Sequence, residues 1–153
     1  MKSKYAIIVS QFNQEITHEL AKGALSRLLE HGVSEDCVTM INVPGAVEIP
    51  LTAKLLARSE KYAAIICLGA VIRGETDHYD YVCQQVCLGC QQVMTDYDVP
   101  VIFGVLTTKN LKQAKARAGG KEGHKGRDAA DAAIEMTAVV ARLKSTVVCR
   151  EVV

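Results

Sequence analysis

The stretch "AAIICLGAVIRGETDHYDYV", residues 63–82, joins a continuous apolar run to a dense group of polar side chains. The apolar part, 63–72, lacks alternating polar residues, which is typical of a strand buried on both faces of a parallel sheet. A helical pattern over 78–97 follows the polar part. Ligands of open α/β sheets bind beyond the carboxyl ends of the strands, so this junction indicates a site.

Three other apolar runs share this pattern: "YAIIV" (5–9), "VTMINV" (38–43) and "VPVIFGVL" (99–106). Helical patterns cover 16–31, 50–59, 78–97, 110–118 and 127–144. Alternating strands and helices predict a three-layer α/β/α sandwich of the flavodoxin-like type with a four-stranded parallel sheet, because helices must cover both faces of so apolar a sheet. The 153 residues contain no linker or repeat, so 1–153 is expected to form one domain. The tail 145–153 gives no clear pattern.

Charge and hydropathy exclude several classes of protein. Eighteen Lys and Arg against seventeen Asp and Glu give a net charge of +1, which provides no general attraction for nucleic acid or anionic membranes. No apolar run reaches the roughly 18 residues that a membrane span needs. The first residues also lack a secretory pattern. We therefore expect a cytoplasmic protein with no nucleic-acid or membrane partner.

The cysteines of "CQQVCLGC" (83–90) allow two interpretations. Their C-x3-C-x2-C spacing matches the motif that holds iron–sulfur clusters in radical enzymes. They also belong to one apolar stripe of the predicted helix over 78–97, in which cysteine behaves as a small hydrophobe. The stripe comprises Val82, Cys83, Val86, Cys87, Cys90, Val93, Met94 and Tyr97. The stripe is favoured because a radical enzyme needs a flexible loop and a larger barrel, and no metal is predicted.

Four loops follow the four predicted strands and are expected to converge at one edge of the sheet. They are "SQFN" (10–13), "PGAVEIP" (44–50), "RGETDH" (73–78) and "TTKN" (107–110). Phe12 either stacks on a flat heterocycle or covers the sheet end. Glu48 either binds a ligand or only caps a helix.

The third loop carries the strongest chemical signal. Residues 74–76, Gly-Glu-Thr, precede a helix whose first amides suit a phosphate, and the threonine hydroxyl adds a donor. His78 suits general acid–base work at neutral pH, although a cap or a solvated residue is an alternative. A basic patch follows near the C-terminus, mostly as a solvated face, in which Arg117 and Lys125 are candidates for anion and carbonyl recognition.

Five segments in this order resemble the 6,7-dimethyl-8-ribityllumazine synthase family: "SQFN", "PGAVEIPLTAKLL", "GAVIRGETDHYDYV", "PVIFGVLTT" and "RAGGKEGHKGRDAADAAIEM". The resemblance spans nearly the whole chain. It implies a transferase of riboflavin biosynthesis that condenses 5-amino-6-ribitylamino-pyrimidinedione with 3,4-dihydroxy-2-butanone 4-phosphate, releasing phosphate and water. It implies no metal or organic cofactor, and active sites shared between the subunits of a pentamer.

The resemblance also implies residue roles. His78 would move protons, and the phosphate would bind Gly74, Glu75, Thr76 and, from the adjoining subunit, Arg117. The pyrimidine and its ribityl chain would contact Phe12, Ala46, Val47, Glu48, Val71 and Ile72, with Phe103 and Lys125 from the adjoining subunit. Glu75 departs from the family pattern, and its carboxylate is expected to face away from a bound phosphate.

Assembly beyond the pentamer stays open, since the uninterrupted "GGKEGHKG" segment favours a sixty-subunit shell and the short segment before Tyr5 argues against reinforced pentamers. Riboflavin synthase is a candidate protein partner. Two rival functions are a flavodoxin-like flavin carrier and a scaffold that keeps the pentamer without turnover. The carrier lacks a glycine- and hydroxyl-rich phosphate loop at "SQFNQEIT", and the scaffold would not need Phe12, Glu48, His78, Arg117 and Lys125 together.

Overall fold

A computed structural model describes residues 2–148 of the chain. The main strands are β1 (Tyr5–Ser10), β2 (Val38–Val43), β3 (Ala64–Ile72) and β4 (Val101–Thr108). The helices are α1 (Gln14–Glu30), α2 (Ile49–Arg58), α3 (His78–Tyr97), α4 (Leu111–Arg117) and α5 (Lys125–Val148). Of the undecided tail, residues 145–148 belong to α5 and the others lie outside the described residues.

The four main strands form one parallel sheet in the order β2-β1-β3-β4. Successive side chains of a strand point to opposite faces, so each strand contributes to two cores. Ile7 and Ile66 pack with α1, α4 and α5 on one face, whereas Ile8 and Ile65 pack with α2 and α3 on the other. The predicted three-layer α/β/α sandwich is confirmed.

The prediction of a buried strand is wrong for β2. It lies at the edge of the sheet, most of its residues are exposed or half-buried, and Met40 is 44 % exposed. As an edge strand, β2 pairs with β1 only and lies beyond the helices that cover the centre of the sheet. It is therefore not enclosed on both faces. Apolar composition predicts the strand but not its place in the sheet.

The glycine-rich segment 118–126, which carried no predicted structure, contains a small antiparallel hairpin. Its strands are β5 (Ala118–Gly120) and β6 (Gly123–His124), and they precede α5 directly. Gly123 has φ +86°, a left-handed conformation that glycine adopts without strain. The hairpin connects α4 to α5, and so sets the position of Lys125 relative to Arg117.

The cysteine stripe of α3 is only partly buried. Cys90 is buried and Cys83 is half-buried, as expected, but Cys87 is exposed and does not belong to the core. Within residues 2–148, no group of three or more His, Cys, Asp or Glu side chains is arranged to hold a metal ion. Over the same part of the chain, no helix combines the length and apolarity that crossing a membrane requires.

Candidate active site

A cavity of about 480 Å³ opens at the carboxyl edge of the sheet, between the loops that follow β1, β2 and β3. This volume suits a small organic molecule. Nine of the residues predicted for the site line it: Phe12, Ala46, Val47, Glu48, Val71, Ile72, Gly74, Thr76 and His78. The adjacency of β2, β1 and β3 in the sheet brings these three loops together.

Hydrogen bonds hold the first loop against both of its neighbours. The backbone N–H of Gln11 donates to the carbonyl of Val43 at 2.8 Å, and that of Phe12 donates to Pro44 at 3.1 Å. Asn13 adopts φ 61°, and its Nδ2 donates to the carbonyl of Ala70 at 2.8 Å. The floor of the cavity is therefore tied to all three strands.

Phe12 projects from this loop with 74 % of its surface exposed. This exposure leaves most of the ring surface free for contact with a ligand. An aromatic face beside a cavity can stack on a planar ligand. The fixed backbone of the loop limits the positions that the ring can take.

Glu48 ends a short 3-10 helix, Ala46–Glu48, that lies just before α2. Its Oε2 accepts a hydrogen bond of 2.9 Å from the backbone N–H of Gly45. The carboxylate therefore caps the turn and lines the cavity at the same time. Within the described part of the chain Oε1 has no hydrogen-bond donor, so it is free to accept one from a ligand hydroxyl.

The loop before α3 presents its polar groups to the cavity. The Thr76 hydroxyl accepts a long hydrogen bond of 3.4 Å from the backbone N–H of His78, the first residue of α3. His78 is exposed at the cavity wall, beside Tyr79. Burial raises the pKa of the Tyr79 hydroxyl. Glu75 is exposed and does not line the cavity.

The other three predicted site residues lie elsewhere, in a second cavity of about 430 Å³ along β4. Phe103, Arg117 and Lys125 line it together with the hairpin-proximal end of α5. The fourth loop lies beside the third at the same edge of the sheet, since the N–H of Arg73 donates to the carbonyl of Thr108, but Thr107 and Thr108 line this second cavity rather than the first. Among residues 2–148, none lines both cavities.

The two cations of the second cavity are oriented by neighbours. Nη1 of Arg117 donates to the carbonyl of Gln113 at 3.0 Å, one turn earlier in α4, which leaves other N–H groups of the half-buried guanidinium for an anion. Nζ of Lys125 lies 3.3 Å from Oδ2 of Asp128 in the first turn of α5. The cavity thus combines an aromatic ring with two positive charges.

Comparison with known proteins assigns the chain to a family. The family model described as 6,7-dimethyl-8-ribityllumazine synthase matches residues 2–141, which include both cavities. The chain belongs to the lumazine synthase family.

Curated lumazine synthases are similar over almost their full length. The enzyme of Coxiella burnetii (strain CbuG_Q212) is 59 % identical over 143 residues, covering 94 % of this chain and 95 % of that protein. The enzyme of Salinibacter ruber (strain DSM 13855 / M31) is 50 % identical over 141 residues, covering 92 % and 90 %. The resemblance inferred from five sequence segments is confirmed.

Some residues that line the two cavities are not among the predicted ones. Asn13 and Tyr79 line the first cavity, and Asp128 lines the second beside Lys125. Asn13 directly follows the predicted Phe12. Asparagine tolerates the left-handed backbone conformation that Asn13 adopts, so its residue type is a weak sequence signal for a turn at this point. The contribution of Tyr79 depends on the direction in which α3 leaves the loop, which sequence spacing alone does not give.

Proposed function

We propose that the first cavity is one half of the active site of this lumazine synthase. The chain is a transferase of riboflavin biosynthesis, which condenses 5-amino-6-ribitylamino-pyrimidinedione with 3,4-dihydroxy-2-butanone 4-phosphate to 6,7-dimethyl-8-ribityllumazine, releasing phosphate and water. The observation that supports this placement is the convergence of nine predicted residues on a single cavity. We treat 1–153 as one lumazine-synthase-like domain.

The pyrimidinedione occupies the part of the cavity between the first two loops. Its flat ring stacks on the exposed face of Phe12, and backbone groups of Ala46 and Val47 contact its edge. The free carboxylate oxygen of Glu48 accepts hydrogen bonds from ribityl hydroxyls. Val71 and Ile72 form the apolar wall behind the ring. These contacts hold the 5-amino group toward the second substrate.

The butanone phosphate lies at the start of α3. The hydroxyl of Thr76 and the backbone around Gly74 face the cavity and donate to the phosphate, and the positive end of the helix favours its charge. Glu75 does not line the cavity, so its carboxylate does not contact the phosphate. Glu75 contributes to phosphate binding only through its backbone. Both substrates then meet beside His78.

His78 transfers protons while bonds change at the butanone phosphate. The 5-amino nitrogen attacks the ketone carbon, and the adduct loses water to form an imine. Removal of a proton from a neighbouring carbon then allows the carbon–oxygen bond to phosphate to break. His78 takes the proton that the amine releases and passes it to the departing hydroxyl, which leaves as water; it then takes the carbon-bound proton and passes it to the departing phosphate. The enol that remains tautomerises to a ketone, and attack of the ribitylamino nitrogen on this ketone, with loss of a second water, closes the ring. No metal or organic cofactor is needed for these steps.

The active site is completed by a second subunit. Phe103, Arg117 and Lys125 lie in a separate cavity along an edge strand, so we propose that they serve the first cavity of a neighbouring chain. Arg117 then binds the phosphate, while Lys125 and Phe103 contact the pyrimidinedione. Two different surfaces in contact form a head-to-tail interface, and such an interface produces a ring when the rotation between neighbouring subunits closes. We propose a ring of five subunits.

Exposed apolar side chains on the α2–α3 layer support assembly. Leu51, Leu55, Tyr81 and Leu88 are between 57 % and 65 % exposed. Large apolar side chains clustered on one layer of a single chain mark a surface that another protein covers. The ring brings these surfaces together at its subunit interfaces. We also propose a cytoplasmic location, where the water-soluble substrates are made, and riboflavin synthase as the partner that takes the product.

The proposed function is tested by mixing the purified protein with both substrates and following fluorescent lumazine product and inorganic phosphate. We expect one phosphate for each lumazine. Arg117→Ala should raise KM for the phosphate substrate by about 10- to 100-fold, since a charge-assisted hydrogen bond contributes roughly 1.5–3 kcal/mol. Arg142→Ala, which changes an exposed arginine of α5, is the matched control.

Absence of product from correctly assembled wild-type protein would contradict the proposed function. Tightly bound yellow flavin would then favour the carrier, and a pentamer without flavin or turnover would favour the scaffold. Equal KM values for wild type and Arg117→Ala would contradict only the phosphate role of Arg117.

A further inference from the structure

Arg73 connects the two ends of the loop that carries the phosphate donors. It directly follows β3, and its backbone N–H donates to the carbonyl of Thr108 at 2.9 Å. Its guanidinium donates from Nη2 to Oδ1 of Asp80 at 2.7 Å and from Nη1 to Oδ2 at 3.4 Å. Asp80 lies in the first turn of α3. The side chain thus joins the end of the sheet to the start of the helix.

Tyr79 gives Arg73 a second contact in the same turn of the helix. The guanidinium carbon lies 4.4 Å from the centroid of the Tyr79 ring, within the range of a cation–π interaction. The planar guanidinium group therefore stacks on an aromatic face while its N–H groups reach a carboxylate, a combination that lysine does not reproduce. Tyr79 lines the cavity next to His78.

The intervening segment, 74–78, has few other restraints. The bond from the His78 amide to Thr76 is long, at 3.4 Å, and the Asp80 amide donates to the carbonyl of Asp77 at 3.0 Å. A Cβ atom placed on Gly74 would meet no atom within 4 Å, so the start of the loop is not packed. Contacts of Arg73 at both ends of the segment limit its movement.

We propose that Arg73 is a positioning residue for the condensation and holds His78 in place through Asp80 and Tyr79. This inference rests on the proposed function of His78. The guanidinium is paired with the carboxylate of Asp80, so its effect reaches the substrate through α3 rather than by direct contact with the phosphate. The geometry of His78 relative to the reacting carbons depends on this contact, whereas the fold does not.

The test compares Arg73→Ala, Arg73→Lys and Asp80→Asn in the assembled protein with both substrates. Displacement of a catalytic group by about 1 Å can cost about 100-fold, so Arg73→Ala should lower kcat by roughly 10- to 100-fold. KM for the phosphate substrate should change less than about threefold. Arg73→Lys should recover part of the loss, and Asp80→Asn should reproduce it. Arg142→Ala again serves as the control.

The decisive comparison introduces Arg73→Ala into a His78→Ala background. If Arg73 acts through His78, the two losses are not additive, and the second change should cost less than about twofold. A further loss of about tenfold or more in that background would overturn the proposal. So would a large rise in KM for the phosphate substrate with kcat unchanged, since that pattern indicates direct phosphate binding.

Two further results keep this inference separate from the proposed function. If Arg73 had only a general structural role, Arg73→Ala would lower the unfolding temperature and would reduce activity by the same factor in the wild-type and His78→Ala backgrounds. The ion pair between Arg73 and Asp80 is half-exposed, and such pairs contribute little stability. We therefore expect the unfolding temperature of Arg73→Ala to stay close to that of wild type. Failure of the proposed function would appear earlier, as absence of lumazine product from wild-type protein or full turnover by His78→Ala.

Discussion

His78 occupies the first position of α3, where the loop from β3 becomes helical. An imidazole at this position is exposed to the cavity and lies two residues after the proposed phosphate donor Thr76. Binding two reactants side by side can itself provide an effective molarity of about 10⁵ M or more. We therefore propose that the histidine adds proton transfer to a reaction that binding in the cavity promotes by positioning.

His78→Ala should impair turnover without abolishing it. General acid–base catalysis contributes roughly 10²- to 10⁴-fold. At saturating concentrations of both substrates, kcat should therefore fall by about 10²-fold, the lower end of that range. His18→Ala, at an exposed position on α1, is the matched control. Full turnover by His78→Ala would show that the assigned proton-transfer role is wrong.

Single residues that line the first cavity were predictable where they lie in a loop that follows a strand. Phe12, Glu48 and His78 stand out because polar or aromatic residues interrupt apolar runs at the same edge of the sheet. Asn13 and Arg73 were not assigned to the site, because their contributions depend on a left-handed backbone and on a contact with a helix seven residues away. Such properties arise from the folded arrangement rather than from the local pattern.

At the scale of elements, α1 and α5 approach each other closely enough to exclude a single methyl group. A Cβ atom added to Gly126 would lie 2.1 Å from the carbonyl oxygen of Leu20. Gly126→Ala must therefore separate the helices or distort α5, and overpacking of this kind typically costs about 1–3 kcal/mol.

Denaturant unfolding should show this loss for Gly126→Ala. Gly74→Ala is the matched control for stability, because an added Cβ there meets no atom within 4 Å. Equal unfolding free energies for the two variants would mean that the α1–α5 contact is looser than the structure indicates.

A network of charges also joins the end of α1 to α5. Arg127 donates to both carboxylate oxygens of Glu30, at 3.0 Å and 2.7 Å, and Arg27 donates to Glu30 at 2.9 Å. These hydrogen bonds, first from Arg127 and then from Arg27, lower the pKa of Glu30 from 4.5 to about 2. Arg27 and His31 similarly lower the pKa of Asp131 on α5.

The lowered pKa gives the stability of this network a definite pH dependence. Stabilisation by Glu30 is fully present above the unfolded-state pKa, 4.5, and is lost as pH falls through about 2. Glu30→Gln should lower the unfolding temperature at pH 7, and its difference from wild type should shrink as pH falls from about 4.5 toward 2. Glu122→Gln, outside the network, is the control. A difference that grows toward low pH would contradict the assignment.

Elements were predictable in proportion to the length of their pattern. The predicted bounds of α3 agree with the structure, because its apolar stripe, Val82 to Tyr97, covers sixteen of the twenty residues of the helix. The hairpin β5–β6 was not predicted, since strands of three and two residues rich in glycine have no alternation to detect. The exposure of Cys87 shows that a periodic stripe can be wider than the face that a helix buries.

At the scale of the whole molecule, a single chain holds two separate cavities, which we propose are the two halves of a site shared between subunits. The first cavity contains the proposed proton carrier, and the second contains the proposed phosphate-binding arginine. Sequence periodicity predicted the sheet but not the order of its strands, which places β4 at an edge of the sheet with the second cavity alongside it. The resemblance to lumazine synthases, not the pattern of residues, led to the expectation of two contributing subunits.

Shared sites require that subunits with different defects repair each other. Co-expression of His78→Ala and Arg117→Ala chains gives mixed rings. At each interface, either variant can provide the first cavity and either can provide the second. About one quarter of the sites then combine two intact halves. Mixing His78→Ala with Glu48→Gln is the matched control. Both changes lie in the first cavity, so every site in the mixed rings carries one of them.

The most direct measurement is therefore lumazine formation by these mixed assemblies, compared with each variant alone. At concentrations of both substrates well below the wild-type KM values, where Arg117→Ala and Glu48→Gln are slow, the account predicts about one quarter of the wild-type rate for the mixture of His78→Ala and Arg117→Ala, and no recovery for the control mixture. Activity of the first mixture equal to the mean of its two separate variants, in rings shown to contain both chains, would contradict an active site shared between subunits.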